Sequence, residues 1–117
     1  MNTPTPAPTL DTAALNDLKG MLGDALIEIA ESFLEGLDND VANIQLAGAD
    51  PVALGAAAHS LKGSAANMGA RALADLASAI ERSAGDRDMA RCADLVVGLS
   101  ETAHHARIAL AAYIAQP

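Results

Sequence analysis

Residues 50–69 read DPVALGAAAHSLKGSAANMG, and their reading decides the fold. Asp50 can accept from the free N–H groups of a helix start, and Pro51 at the first helical position loses nothing by lacking an N–H there. A helix is expected from Pro51 to about Asn67, stopping before Gly69. At about 100° per residue, Leu54, Ala57, Leu61, Ala65 and Met68 all fall within about 60° of the direction opposite His59. The apolar stripe therefore turns inward and His59 turns outward. Gly55 and Gly63 stand at i−4 and i+4 from His59, one turn to either side on its own face, each costing about 1 kcal/mol relative to Ala in a helix interior. They clear the space around the imidazole of side chains.

The same punctuation divides the flanks. Upstream, a first helix is expected from about Leu10 to Lys19, ending at Gly20. Gly23-Asp24 then caps a long second helix, whose apolar Leu26, Ala30, Phe33, Leu37, Val41 and Ile44 keep 3- and 4-residue spacing to about Ala47, before Gly48. Downstream, a fourth helix spans about Ala70 to Ala84 and stops at Gly85. Asp86 or Asp88 caps the last, carried by Leu95, Leu99, Ile108 and Tyr113 to about Ala115 with some drift in phase. Gly36 and Gly98 join Gly55 and Gly63 as glycines expected inside helices. Ala and Leu fill 28 and 15 of 117 positions against ten for Val and Ile together, which fixes an all-α class. Short loops between long amphipathic helices imply an up-down antiparallel four-helix bundle core with an additional short N-terminal helix. Residues 1–9, with Pro4, Pro6 and Pro8 among Thr and Ala, are expected to form a disordered tail, leaving residues 10–117 as one domain.

Seven Lys and Arg against 15 Asp and Glu give a net charge of −8, and one Phe, one Tyr and no Trp offer no stacking platforms for bases. Nucleic acid is excluded as a partner, and anionic membrane surfaces are disfavoured by the same sign. No run approaches the ~20 apolar residues of a membrane span, and MNTPTPAPT lacks the basic flank and apolar run of a secretory signal. A lone Cys92 excludes an internal disulfide framework or a multi-Cys zinc site, so a cytoplasmic protein is expected, with Cys92 an inert thiol. Glu101 and His104 have E-x-x-H spacing, but a di-iron bundle needs two such motifs and further carboxylates, so no metal is expected. His104 and His105 point about 100° apart and are expected in solvent.

What remains is His59 with Lys62 at i+3, an ammonium placed beside any anion held on the imidazole. Neutral imidazole is a nucleophile at physiological pH, and a bare His with a neighbouring cation and a cleared surface suits attack on a phosphoryl group. The product would be a phosphohistidine. No P-loop or kinase-type Gly-rich motif is present, so neither autophosphorylation from ATP nor enzyme activity is expected; the chain reads as a phosphocarrier with no cofactor of its own.

The run Ala58-His59-Ser60-Leu61-Lys62-Gly63-Ser64-Ala65-Ala66-Asn67-Met68-Gly69-Ala70 closely resembles the signature of the histidine phosphotransfer (HPt) domain family. Leu10-Asp11, Phe33 with Leu37, and Ala84-Gly85-Asp86 extend the resemblance over about residues 10–114. It implies that His59 takes a phosphoryl group from the phospho-aspartate of one receiver domain and passes it to another, between a hybrid sensor kinase and a response regulator. The family usually phosphorylates Nε2, the other ring nitrogen being held by a side chain of the following helix; Glu81 falls at that position, 22 residues after His59. Lys62 matches the residue that supports the phosphoryl group, Gly63 the small residue that lets the receiver dock, and Mg²⁺ with an acidic pocket is expected in the receiver. By helical position the docking surface includes Val52, Gly55 and Ala56 and part of the first two helices. A freely diffusing monomer is expected. The competing class is a helical adaptor that binds receivers without transferring phosphate.

Overall fold

The computed structural model describes residues 7–116, all of them helix, turn or irregular chain without a strand. Six helices follow one another: α1 (Thr12–Leu22), α2 (Ala25–Ala47), α3 (Pro51–Asn67), α4 (Arg71–Gly85), α5 (Met89–Val97) and α6 (Leu99–Ile114). Asp50 caps α3 as its sequence foretells, Oδ1 accepting from Val52 N–H at 3.1 Å and Ala53 N–H at 3.2 Å. Of the two candidate caps for the next helix downstream, Asp88 is the one used, accepting from Arg91 N–H at 3.1 Å. All six apolar positions assigned to α2 are buried.

Helix α3 lies between α2 and α4, and α6 closes against α2 and α4 from the other side. This double contact broadens the buried face of α3. Ala58, next to His59, is fully buried, whereas Ala57, expected in the core stripe, is only half-buried. Helices α3 and α4 are antiparallel: Glu81 stands level with His59, and a Cβ on Gly55 would lie 3.7 Å from the Ala84 Cβ. The turn between them depends on Gly69 at φ +64°, where an added Cβ would come within 3.1 Å of Leu15 and 3.2 Å of the Asp11 carbonyl. Asp11 N–H donates to the Gly69 carbonyl at 2.7 Å, and Tyr113 Oη donates to Asn16 Oδ1 at 2.6 Å, so α1 is pinned at both the α3–α4 turn and α6.

Four expectations change. The last helix is two, because the chain turns at Gly98 (φ −85°, ψ −2°), whose N–H reaches the Leu95 carbonyl instead of one a full α-turn back. Gly98 therefore lies between helices. The break absorbs the drift in phase: Leu99, Ala103, Ala106 and Leu110 are the buried residues of α6, and Ile108 is exposed. Helix α1 passes through Gly20 to Leu22 and ends at Gly23 (φ +57°), which is thus a C-terminal device of α1, while Asp24 makes no side-chain cap for α2. Of the expected tail, residues 1–6 lie outside the described residues, but Pro8 is held: its carbonyl accepts from Ala72 N–H at 3.0 Å. The reason is local, since the N-cap residue of α4 is Ala70, which has no side-chain oxygen to satisfy the first N–H groups.

No helix among the described residues is long and apolar enough to cross a membrane. Cys92 is buried, and that burial, with Asp88 nearby, pushes its thiol pKa up, away from reactivity.

Candidate functional site

Helix α3 turns His59 out of the core on the face opposite Leu61 and Leu54, and its side chain is 69% exposed. Helix α4, running antiparallel beside it, brings up Glu81. One Glu81 oxygen lies 2.6 Å from His59 Nδ1, and the other accepts from Lys62 Nζ at 2.6 Å. A single carboxylate thus bridges the imidazole and the ammonium that α3 presents one turn apart. The Lys62 hydrogen bond, seconded by that of His59, holds the Glu81 carboxyl below the usual carboxylate range despite partial burial. Glu81 is ionised at neutral pH and can only accept, so His59 Nδ1 carries the proton and donates it. In the neutral ring Nε2 then keeps its lone pair, on the side of the imidazole away from Glu81.

Lys62 stands beside His59 along the helix, but its ammonium is committed to Glu81. Gly63 is exposed, and a Cβ built on it would meet no atom within 4 Å, so nothing inside the protein forbids a side chain there. Gly55 differs. It is half-buried where α3 meets α4 at Ala84, so its small size serves the helix contact as well as the surface.

His59, Glu81, Val52, Gly55 and Ala56 all line one open groove of about 490 Å³, completed by Pro51 and by Ala84, Gly85 and Arg87 at the end of α4. The residues expected by helical position to surround His59 do so; the α4 wall was not foreseen. Arg87 is the notable addition. It is the one non-glycine residue with positive φ among those described, at +58°. Its N–H donates to the Ala84 carbonyl and Asp88 N–H to the Ser83 carbonyl, the paired bonds of a Schellman ending in which Gly is the usual occupant. Gly85 is the last residue of α4, as the sequence suggests, but the left-handed position falls two residues later, where an Arg carries no local signal. His104 and His105 are exposed on α6, and no group of three or more His, Cys, Asp or Glu among the described residues is placed to hold a metal ion.

An all-helical domain that offers an exposed histidine, braced from the next helix by a carboxylate, has the anatomy of a phosphotransfer domain. The Hpt domain profile matches residues 28–116, and the chain belongs to that family, whose members act as phosphocarriers and not as kinases. The match starts inside α2, so α1 lies outside it. The fold is similar to the crystal structure of histidine-containing phosphotransfer protein B (HptB) from Pseudomonas aeruginosa PAO1, with a TM-score of 0.85 and 27% identity over 92% of this chain and 95% of that one. Among curated proteins no sequence relative is found.

Proposed function

We propose that this protein relays a phosphoryl group between receiver-domain aspartates of a multistep phosphorelay through phospho-His59, its partners being the receiver domains of a hybrid sensor kinase and of a response regulator. The observation that carries the reading is the 2.6 Å contact between His59 Nδ1 and a Glu81 carboxylate kept ionised by Lys62. It supports Nε2 as the attacking atom, since Nδ1 already holds its proton.

In the forward step the Nε2 lone pair attacks the phosphorus of an aspartyl phosphate. The N–P bond forms as the P–O bond to the aspartate breaks, and that electron pair returns to the receiver's carboxylate. No proton needs to leave the ring: Nδ1–H stays on Glu81, whose negative charge offsets the positive charge the phosphorylated imidazole acquires. The second transfer is the reverse of this step onto another aspartate. Lys62, one turn from His59, is near enough to divide its attraction between Glu81 and the incoming phosphoryl oxygens. Mg²⁺ and the acidic pocket belong to the receiver in this reading. Gly63 and the groove of Val52, Gly55 and Ala56 give the receiver its approach. Helices α2, α3, α4 and α6 serve as an up-down four-helix core, with α1 as the additional N-terminal helix.

The test is phosphotransfer from an acetyl-phosphate-charged receiver to the purified protein, read by intact mass. Gain of one acid-labile phosphoryl group, lost in His59→Gln, is the expected result. Receiver binding with no transfer in a folded sample would instead make the protein an adaptor.

A further inference from the structure

We propose that Arg87 is a docking residue that pairs with a carboxylate on the rim of the receiver's acidic pocket when that pocket sits over His59; this rests on the phosphorelay reading above. Arg87 enters the groove of His59 from the α4–α5 turn. The register of the two helices fixes how far along it stands. Glu81 is level with His59 and Ala84 with Gly55, so three further residues, running past the end of α4, bring Arg87 level with the first turn of α3, near Val52. Seven helical residues separate Val52 from His59, about 10 Å along the axis at 1.5 Å per residue. That places the Arg87 backbone at the edge of a footprint centred on His59.

Charge selects the partner. The chain carries a net −8, and the two cations at this surface differ in their commitments. Lys62 is bonded to Glu81, while Arg87 is exposed and makes no ion pair among the described residues. Its neighbour Asp88 is occupied in capping α5. Between Arg87 and His59 the groove is lined by Val52, Gly55, Ala56 and Ala84, small or apolar groups that a protein surface can cover. An acidic pocket laid over His59 therefore meets a free cation at one end. The backbone adds an independent argument: the left-handed C′ position of a helix ending is the place for Gly, and an Arg there sits in a conformation that side chains disfavour. A side chain held against that preference, projecting beside the reactive residue, is where function is to be sought. A charge at the rim of an interface acts mainly on association rate and on choice of partner.

The test compares Arg87→Gly, Arg87→Glu and Arg87→Lys with the wild type, using as donor the acetyl-phosphate-charged receiver domain that phosphorylates the wild-type protein fastest. Gly suits the left-handed position, so Arg87→Gly melts no lower than wild type, and a transfer defect in it is no folding defect. The expected result is a kcat/KM for transfer about fivefold lower in Arg87→Gly, lower still in Arg87→Glu, and restored in Arg87→Lys. The gap between wild type and Arg87→Gly closes as salt is raised, and the half-life of isolated phospho-His59 is the same in both. Equal kcat/KM in wild type and Arg87→Gly, or a gap indifferent to salt, overturns the proposal. So does a shortened phospho-His59 half-life in Arg87→Gly, which would put the guanidinium on the phosphoryl group. If the wild type accepts no phosphoryl group from any receiver, the phosphorelay reading fails and takes this role with it; normal transfer with an indifferent Arg87 removes only the docking role.

Discussion

His59 on α3 and His104 on α6 are both exposed imidazoles on helices of an acidic chain, yet their surroundings differ. Across from His59, α4 supplies Glu81, which fixes the Nδ1 proton and is itself kept charged by Lys62. Among the described residues His104 has no such brace. The cation nearest to it along α6, Arg107, turns to α2, donating to the Leu34 carbonyl at 3.2 Å and pairing with Asp38. The ring of His105 lies 6.3 Å from that of His104 between centroids. Exposure alone does not set His59 apart; Glu81 from the neighbouring helix α4 and Lys62 one turn along α3 itself do.

That contrast can be broken most severely at His59 itself. His59→Gln is expected to abolish phosphorylation by intact mass while changing stability by less than about 0.5 kcal/mol, because the side chain faces away from the core; His104→Gln should transfer at the wild-type rate. A large stability loss in the first, or a transfer loss in the second, would erase the distinction. Next in size comes Gly63→Leu, which should lower transfer about 100-fold by displacing the receiver. It should also stabilise the helix by up to about 1 kcal/mol, since no atom stands within 4 Å of the added Cβ. Undiminished transfer would show that the cleared surface is incidental.

Glu81→Ala tests the brace, with transfer expected about tenfold slower because Nδ1 loses its acceptor. It also has a pH signature. The folded-state pKa of Glu81 lies below that of the unfolded chain, so its contribution to stability is present above about pH 4.3 and is lost as pH falls through the folded value. The difference in urea stability between wild type and Glu81→Ala should therefore narrow as pH is lowered from 7 to below about 4.3; a constant difference would assign Glu81 a packing role. The smallest effect is expected for Lys62→Ala, a roughly threefold slower transfer or shorter phosphohistidine half-life with receiver binding retained. If neither moves, the ammonium serves only to keep Glu81 charged.

The legible and illegible parts of the molecule divide along a physical line. Asp50-Pro51, the α2 stripe from Leu26 to Ile44 and the outward direction of His59 are set by interactions within four residues, and the sequence reading matches the structure there. Gly20 misleads because a helix can run through glycine when its neighbours pack, as α1 does, whereas α4 ends at Gly85 as expected. Gly98 misleads in the opposite sense, turning the chain where a continuous helix was expected. Glu81 was reached only through family resemblance, because a separation of 22 residues across a turn carries no periodic signal. Arg87 was missed altogether.

By itself the sequence determined an all-helical chain, the positions of most helix starts, and a histidine facing away from the core with glycines one turn to either side. Each of these follows from helical phase and capping, which are local. Tertiary structure alone decided that Glu81 meets both His59 and Lys62, that Ala84 packs at Gly55, and that Arg87 closes the groove. These depend on the register between α3 and α4, fixed by the packing of whole helix faces and by the Gly69 turn, which no single stretch of residues encodes.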